Sequence, residues 1–269
     1  MDRRFFLLAG AAFTSGCTFQ GTGIAPFTPA PAPPAEDDLD VPYVPTPPDV
    51  VEAMLDLAQL GDDDYLIDLG SGDGRIAIAA GRRGARALGV DIDPDRVAEA
   101  ALAARMAELE ARVEFRRQDL FLTPIAQANV IAIYLLPAIN LRLRPRLLTE
   151  LRPGARIVSH AFAMDDWRPD AHEVVSERNI YLWIVPAEVG GQWTLTEADG
   201  TTAPLDLDQR FQDVTGTLGT FALTDVSLRG LQLRFTAGGR TYTALVDGGT
   251  MIPDPAGAAQ PAWRAQRNS

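Results

Sequence analysis

Two patterns of hydrophobic and polar positions divide the chain. Between residues 50 and 161, short apolar runs alternate with stretches in which apolar residues recur at helical spacing. Short apolar runs are typical of buried strands, and the wider spacing is typical of amphipathic helices. Beyond residue 190, apolar and polar residues alternate in short segments punctuated by Gly-Gly and Asp-Gly pairs, which indicates antiparallel strands.

The first pattern predicts alternating strands and helices. Helices are predicted over Val50–Leu60, Arg75–Ala80, Asp93–Glu110 and Leu141–Leu151, and strands over Tyr65–Asp68, Ala87–Asp91, Val113–Arg116, Val130–Leu135 and Ala155–Ala161. Thr46 can cap the first helix. A hairpin over residues 172–186 closes the sheet. Such alternation implies a parallel sheet that helices cover on both faces.

The second pattern predicts a small antiparallel β-unit. Its strands are expected over residues 192–196, 205–218, 221–228, 231–235 and 241–246. A length of 269 residues accommodates one α/β domain and a smaller unit. We therefore expect a signal or lipoprotein-type segment over 1–17, a Pro-rich linker over 18–41, an α/β domain over 42–188, a β-domain over 189–253 and a disordered tail over 254–269.

The N-terminal residues resemble an export signal. Arg3 and Arg4 precede Phe-Phe-Leu, as in twin-arginine signals, and the apolar run to Phe13 is too short to span a bilayer. Small residues precede Cys17, as at a lipoprotein cleavage site, and nine of the 20 prolines follow within residues 25–48. We expect a cell-envelope protein that a lipid on Cys17 attaches to a membrane and a stiff spacer holds away from it. The alternative is a cytoplasmic protein with an ordinary thiol.

Composition removes several classes of chemistry. The net charge of −12 argues against binding nucleic acid through its phosphates. All 24 basic residues are arginine, so a phosphate-loop lysine and a Schiff-base lysine are impossible. One cysteine and two histidines allow neither an intrachain disulfide nor a zinc cluster, and we expect no metal.

A glycine-rich turn follows the first predicted strand. Asp68-Leu69-Gly70-Ser71-Gly72-Asp73-Gly74 lets the backbone turn sharply and approach a ligand, but Arg75 occupies the third glycine position of a dinucleotide fingerprint. Asp68 suits a positively charged amino group. Asp91, at the end of the next strand, can accept both ribose hydroxyls, and Asp119 can meet an adenine amino group. Adenosine joined to an amino acid without phosphates is S-adenosylmethionine. The alternative is a tight turn with two helix caps.

These residues carry a family resemblance. The turn, with Gly89-Val90-Asp91, resembles the class I methyltransferases. Tyr43-Val44-Pro45-Thr46-Pro47 before it is similar to the small protein-lysine methyltransferases that include the ATP synthase c-subunit lysine methyltransferases. The resemblance covers roughly residues 41–167 and implies a Rossmann-like, seven-stranded sheet, with Tyr43 and Thr46 folded over the cofactor. The expected cofactor-binding residues are Tyr43, Thr46, Asp68, Gly70, Ser71, Gly72, Asp73, Gly74, Asp91, Ile92, Asp119 and Leu120.

Methyl transfer is an in-line displacement that chiefly needs alignment of the nucleophile and exclusion of water. Tyr134 stands where many amino-group methyltransferases carry Asp/Asn-Pro-Pro-Tyr/Phe, so a planar amide or base is a less favoured substrate. Tyr134 can orient an amine, or pack at a strand end. His160 can accept its proton, or be a structural histidine. Trp167 can wall the pocket or cover the sheet edge.

Three functions remain open on the sequence alone. The resemblance favours methylation of a protein side chain, namely lysine. A small-molecule methyltransferase is the second hypothesis, with the β-unit as a lid. The third is an exported sensor or scaffold that binds the cofactor without turnover.

Overall fold

The computed structural model describes residues 44–256 and 261–268. Tyr43, the expected signal over 1–17 and the linker over 18–41 lie outside the described residues. Within the described ranges, none of the helices is long and apolar enough to cross a membrane.

The α/β part carries a mixed sheet. Its helices are α1 (Pro48–Leu57), α2 (Arg75–Arg82), α3 (Pro94–Met106) and α4 (Pro137–Glu150), and its strands are β1 (Tyr65–Leu69), β2 (Arg86–Asp91), β3 (Val113–Arg117), β4 (Val130–Ile133), β5 (Arg156–His160), β6 (Ala171–Val175) and β7 (Arg178–Ile184). The strand order is β3-β2-β1-β4-β5-β7-β6. β1 to β5 run parallel, and β7 is antiparallel to both β5 and β6. The predicted Rossmann-like, seven-stranded sheet is confirmed.

Both faces of this sheet are covered, but by different means. On one face, apolar side chains of α1, α2 and α3 form a core with the strands. On the other face, α4 supplies Ile139, Leu143 and Leu147, and the buried indoles of Trp167 and Trp183 complete the layer. α4 begins at Pro137 and not at Leu141 as predicted, because proline suits the first position of a helix.

The second sheet is larger than the sequence suggests. Its strands are β8 (Gly191–Glu197), β9 (Thr202–Arg210), β10 (Asp213–Leu218), β11 (Phe221–Ala222), β12 (Thr224–Arg229), β13 (Gln232–Ala237), β14 (Arg240–Asp247), β15 (Thr250–Pro253) and β16 (Trp263–Arg267). They form a nine-stranded sheet in the order β11-β10-β9-β8-β16-β15-β14-β13-β12, and every pair is antiparallel. The predicted antiparallel β-unit is confirmed.

Two expectations about this unit are wrong. The sequence predicts a disordered tail over 254–269, yet Trp263–Arg267 forms a strand between β8 and β15, with Trp263 and Ala265 buried. Burial of this alternating pair stabilises the strand, which is why a terminal segment is ordered. The strand expected over 205–218 is a hairpin, because the chain turns at Phe211, whose φ is +55°.

That hairpin joins the two sheets. The ring of Phe211 stacks on Trp167 with 5.8 Å between centroids. Trp167 Nε1 donates to Gln212 Oε1 at 3.0 Å, and Gln212 Nε2 donates to the carbonyl of Arg168 at 2.6 Å. Trp167 therefore covers the sheet and contacts the β-unit. The boundary predicted at 188/189 stays a prediction.

Candidate cofactor and acceptor site

The glycine turn leaves β1 at the carboxyl edge of the parallel strands. Gly70, Gly72 and Gly74 have φ values of +83°, +52° and +81°, in the left-handed region that favours glycine. The N–H groups of Gly70 and Ser71 both donate to the carbonyl of Val90 at 2.9 Å, which fixes the turn against β2. This edge is where open α/β sheets bind their ligands.

Gly74 differs from the other two glycines in its surroundings. A Cβ atom at this position would lie 2.4 Å from the Phe115 ring and 2.8 Å from Ala100. Gly74 does not line the cavity, and it precedes α2 directly. Its role is to let the turn pack closely against β3 and α3.

Asp91 organises the turn that it faces. Its Oδ2 accepts from the N–H of Gly72 at 2.8 Å, and its Oδ1 accepts from the N–H of Asp93 at 3.0 Å. A carboxylate oxygen has two lone pairs, so each keeps one for a further donor. Asp91 can therefore hold the turn and still accept from ribose hydroxyls.

Asp68 is a buried carboxyl group with an unpartnered oxygen. It is 1% exposed, and among the described residues its Oδ2 has no hydrogen-bond partner, nor has Ser71 Oγ. Burial raises the pKa of Asp68 to about 8, and the charges of Asp91 and Asp73 contribute to this rise. A cationic ligand would offset the cost of burial and the repulsion from Asp91 and Asp73. The group therefore fits the α-ammonium of S-adenosylmethionine.

A cavity of about 170 Å³ opens between the turn, β2 and the segment after β3. Eleven expected site residues line it: Thr46, Asp68, Gly70, Ser71, Gly72, Asp73, Asp91, Ile92, Asp119, Leu120 and Tyr134. Asp119 caps a short 3-10 helix over Leu120–Leu122 by accepting from the N–H of Phe121 at 2.7 Å. That cap holds Leu120 and Phe121 at the cavity wall.

One wall comes from the segment before α1. We call Val44–Pro47 the strap. Val44, Pro45 and Thr46 line the cavity. The expected helix cap at Thr46 is wrong: Pro47 occupies that position, and the Thr46 hydroxyl lies 3.1 Å from His160 Nδ1. The Thr46 side chain therefore ties the strap to the end of β5.

The other end of the cavity is aromatic. Tyr134 lines it, and the His160 ring lies behind Tyr134 with 3.8 Å between centroids. His160 is 1% exposed, and its Nε2 has no partner among the described residues. Burial, followed by the charge of Arg178, lowers the pKa of His160 to about 4. The imidazole is therefore neutral at pH 7.

The sequence missed several residues of the wall. These are Val44, Pro45, Arg75, Ile76, Val90, Asp93, Arg96, Gln118, Phe121 and Leu135. Most are chain neighbours of expected residues, so adjacency was the available signal. The sequence carries no signal for Arg96, because a charged residue in the first turn of α3 is typical of any exposed helix.

This chain is similar in sequence to several known proteins. The family model described as the ANTKMT methyltransferase domain matches residues 68–171. A protein-lysine N-methyltransferase from Saccharolobus islandicus is 38% identical over 54% of this chain and 94% of its own length.

Mouse and bacterial proteins are similar too. The mouse adenine nucleotide translocase lysine N-methyltransferase is 38% identical, but this chain covers only 62% of it. The mouse ATP synthase c-subunit lysine N-methyltransferase is 32% identical over 63% of this chain and 72% of its own length. A crystal structure described as an RNA methyltransferase from Salinibacter ruber, in complex with S-adenosyl-L-homocysteine, is 48% identical with a TM-score of 0.53. It matches 54% of this chain and 96% of that chain.

Proposed function

Because the chain belongs to the protein-lysine methyltransferase family, we propose that it transfers a methyl group from S-adenosylmethionine to a lysine side chain of a protein. The observation that carries the proposal is that the two ends of the cavity differ in chemistry. Its cofactor end holds the buried carboxyl of Asp68, whose Oδ2 has no hydrogen-bond partner among the described residues, and its other end presents Tyr134 in front of a neutral imidazole.

When bound, S-adenosylmethionine supplies a methyl group activated by the sulfonium. Asp68 binds its ammonium, Asp91 accepts from the ribose, and Asp119 lies with Leu120 and Phe121 on the wall that would face the adenine. The strap on one side and Tyr134 on the other exclude water from the cavity. Little acid–base machinery is needed, because a neutral amine is already a nucleophile.

His160 acts in this proposal as a neutral support. A group with a pKa of about 4 does not hold a proton taken from a lysine ammonium, whose own pKa is near 10.4. The acceptor amine therefore loses its proton to water on entering the site. His160 holds Tyr134 from behind and Thr46 from the side, and the face of Tyr134 receives the amine.

The absence of lysine from the chain makes the test unusually clean. The purified protein is incubated with methyl-labelled S-adenosylmethionine and a cell-envelope extract, and labelled protein is hydrolysed to amino acids. Any methyl-lysine then comes from an acceptor and not from the enzyme itself. An Asp91→Ala variant serves as the inactive control.

Other acceptors give different outcomes. An RNA acceptor is the second candidate, favoured by the likeness to the Salinibacter ruber protein and opposed by the net charge of −12. Label that ribonuclease removes indicates RNA, and label in the dialysable fraction indicates a small molecule. Cofactor binding with no incorporation at all favours a sensor or scaffold. Each of these three results contradicts the lysine proposal.

We also propose that residues 1–17 export the chain and that Cys17 carries a lipid. The support is the sequence pattern alone, because these residues lie outside the described part of the chain.

A further inference from the structure

The strap has two separate attachments, one on each side of the cavity. On the acceptor side, the Thr46 hydroxyl lies 3.1 Å from His160 Nδ1. On the cofactor side, Arg75 Nη1 donates to the carbonyl of Thr46 at 2.7 Å. One residue of the strap is thus held through its backbone by the first residue of α2 and through its side chain by the end of β5.

Arg75 is itself fixed by the glycine turn. Its Nε donates to Asp73 Oδ1 at 2.9 Å, and its Nη2 donates to Asp73 Oδ2 at 2.5 Å. This two-pronged contact sets the plane of the guanidinium, so that Nη1 points to the strap. Asp73, Arg75 and Thr46 all line the cavity.

We propose that Arg75 is a positioning residue that couples the cofactor turn to the acceptor side through Thr46. The contacts form a continuous chain from Asp73 through Arg75 and Thr46 to His160, and the His160 ring contacts Tyr134. The inference rests on the cofactor site of the proposed function and not on the identity of the acceptor.

The burial of Thr46 means that this residue holds the strap in place. Thr46 is 3% exposed, whereas the preceding Val44 is 55% exposed, so the strap is held at Thr46 and not along its whole length. After Pro47 the chain enters α1, whose Val50 and Met54 are fully buried in the core. Loss of the Arg75 contact therefore frees the cavity wall without unfolding the helix that follows.

Arg83 offers a matched control. It directly follows α2 and ties the end of that helix to α1, donating to Asp56 Oδ1 at 2.6 Å and to the carbonyl of Glu52 at 3.2 Å. It does not line the cavity. Arg83→Gln removes the same charge and the same kind of contact as Arg75→Gln, but away from the strap.

The first measurement is calorimetric affinity for S-adenosylmethionine and S-adenosylhomocysteine. We expect Arg75→Gln to weaken both by about tenfold, since a charge-assisted contact that holds the wall is lost. Amide hydrogen exchange at Val44 and Thr46, the two strap residues that carry an amide proton, should accelerate. Arg83→Gln should bind within about twofold of the native protein.

The second measurement reports the acceptor side directly. The chain has two histidines, so ring ¹⁵N resonances are simple to assign, and His172 on β6 is an internal reference. We expect Arg75→Gln and Thr46→Val to shift the His160 resonances and leave those of His172 in place. If Arg75→Gln does not fold, Thr46→Val still tests the contact between Thr46 and His160, because valine keeps the shape of the threonine side chain.

Three results would overturn the inference. The first is native affinity in Arg75→Gln, and the second is an equal loss in Arg83→Gln. The third is unchanged His160 resonances in a folded Arg75→Gln or Thr46→Val protein. Neither measurement uses a methyl acceptor, so a failed search for methyl-lysine leaves them valid.

Discussion

Substituting Asp68 with Asn should stabilise the free protein while weakening cofactor binding. The pKa of this carboxyl rises from 3.8 to about 8 in the folded chain, chiefly through burial and then through Asp91 and Asp73. Each pKa unit corresponds to about 1.36 kcal/mol, so ionised Asp68 destabilises the free fold by on the order of 5 kcal/mol. Asn has nearly the same shape and carries no charge.

The sign of the pH dependence follows from proton binding. The folded chain keeps the Asp68 proton up to about pH 8, whereas the unfolded chain loses it near pH 3.8. The contribution of this group to stability is therefore full below about pH 4, and it is lost as the pH rises to about 8. Asp68→Asn removes that decline.

Urea unfolding of the free proteins between about pH 5 and pH 8 measures the difference. The variant should gain on the native protein by up to about 1.4 kcal/mol for each pH unit. An Asp63→Asn variant, altered at an exposed position just before β1, should follow the native curve. At pH 8 the affinity of Asp68→Asn for S-adenosylmethionine should be roughly ten- to a hundredfold lower. Parallel stability curves for the native protein and Asp68→Asn would refute the reasoning.

Three further predictions concern other parts of the chain. Asp91→Ala should reduce calorimetric affinity for S-adenosylmethionine more than Asp68→Asn does, because Ala offers no acceptor to the ribose or to the turn; a folded variant with native affinity contradicts this. Deleting residues after Gly190 should change acceptor use and leave affinity within a few-fold, although loss of the Trp167 contacts will lower the unfolding temperature; a folded truncation that cannot bind would show the two parts to be inseparable. Cys17→Ala should release the protein from the membrane fraction of expressing cells, and a native protein that is soluble, with Met1 intact and no lipid, would sink the export proposal.

The cofactor half of the site was predictable because its signals are local. The turn, Asp68 and the strand that precedes it lie within ten residues, and Asp91 follows at the end of the adjacent strand. Closely spaced glycines predict a left-handed turn, and carboxylates at predicted strand ends predict ligand contacts, before any tertiary contact is known. The alternation of strands and helices likewise predicts that β1 to β5 run parallel to one another.

What the sequence missed depends on distant partners. Thr46 and His160 are 114 positions apart, so a residue that looks like a helix cap proves to be a tether. Trp263–Arg267 is too short to be recognised, and its burial depends on β8, more than sixty residues earlier. Phe211 was predicted within a strand, but it completes the apolar face of the other sheet. In each case tertiary packing overrides local propensity.

The concentration of acids around the cavity has a physical rationale. The charges of Asp91 and Asp73 add to the cost of ionising the buried Asp68, and the free protein meets that cost by keeping the Asp68 carboxyl protonated up to about pH 8. A ligand with two positive centres, an ammonium and a sulfonium, relieves the repulsion on entry. The demethylated product keeps only the ammonium, so it recovers less of that energy and is the more weakly held of the two by electrostatics. The acidic cluster that raises the pKa of Asp68 in the empty site therefore favours exchange of product for cofactor. Arg75 forms an ion pair with Asp73 and so partly neutralises one of the two charges that act on Asp68.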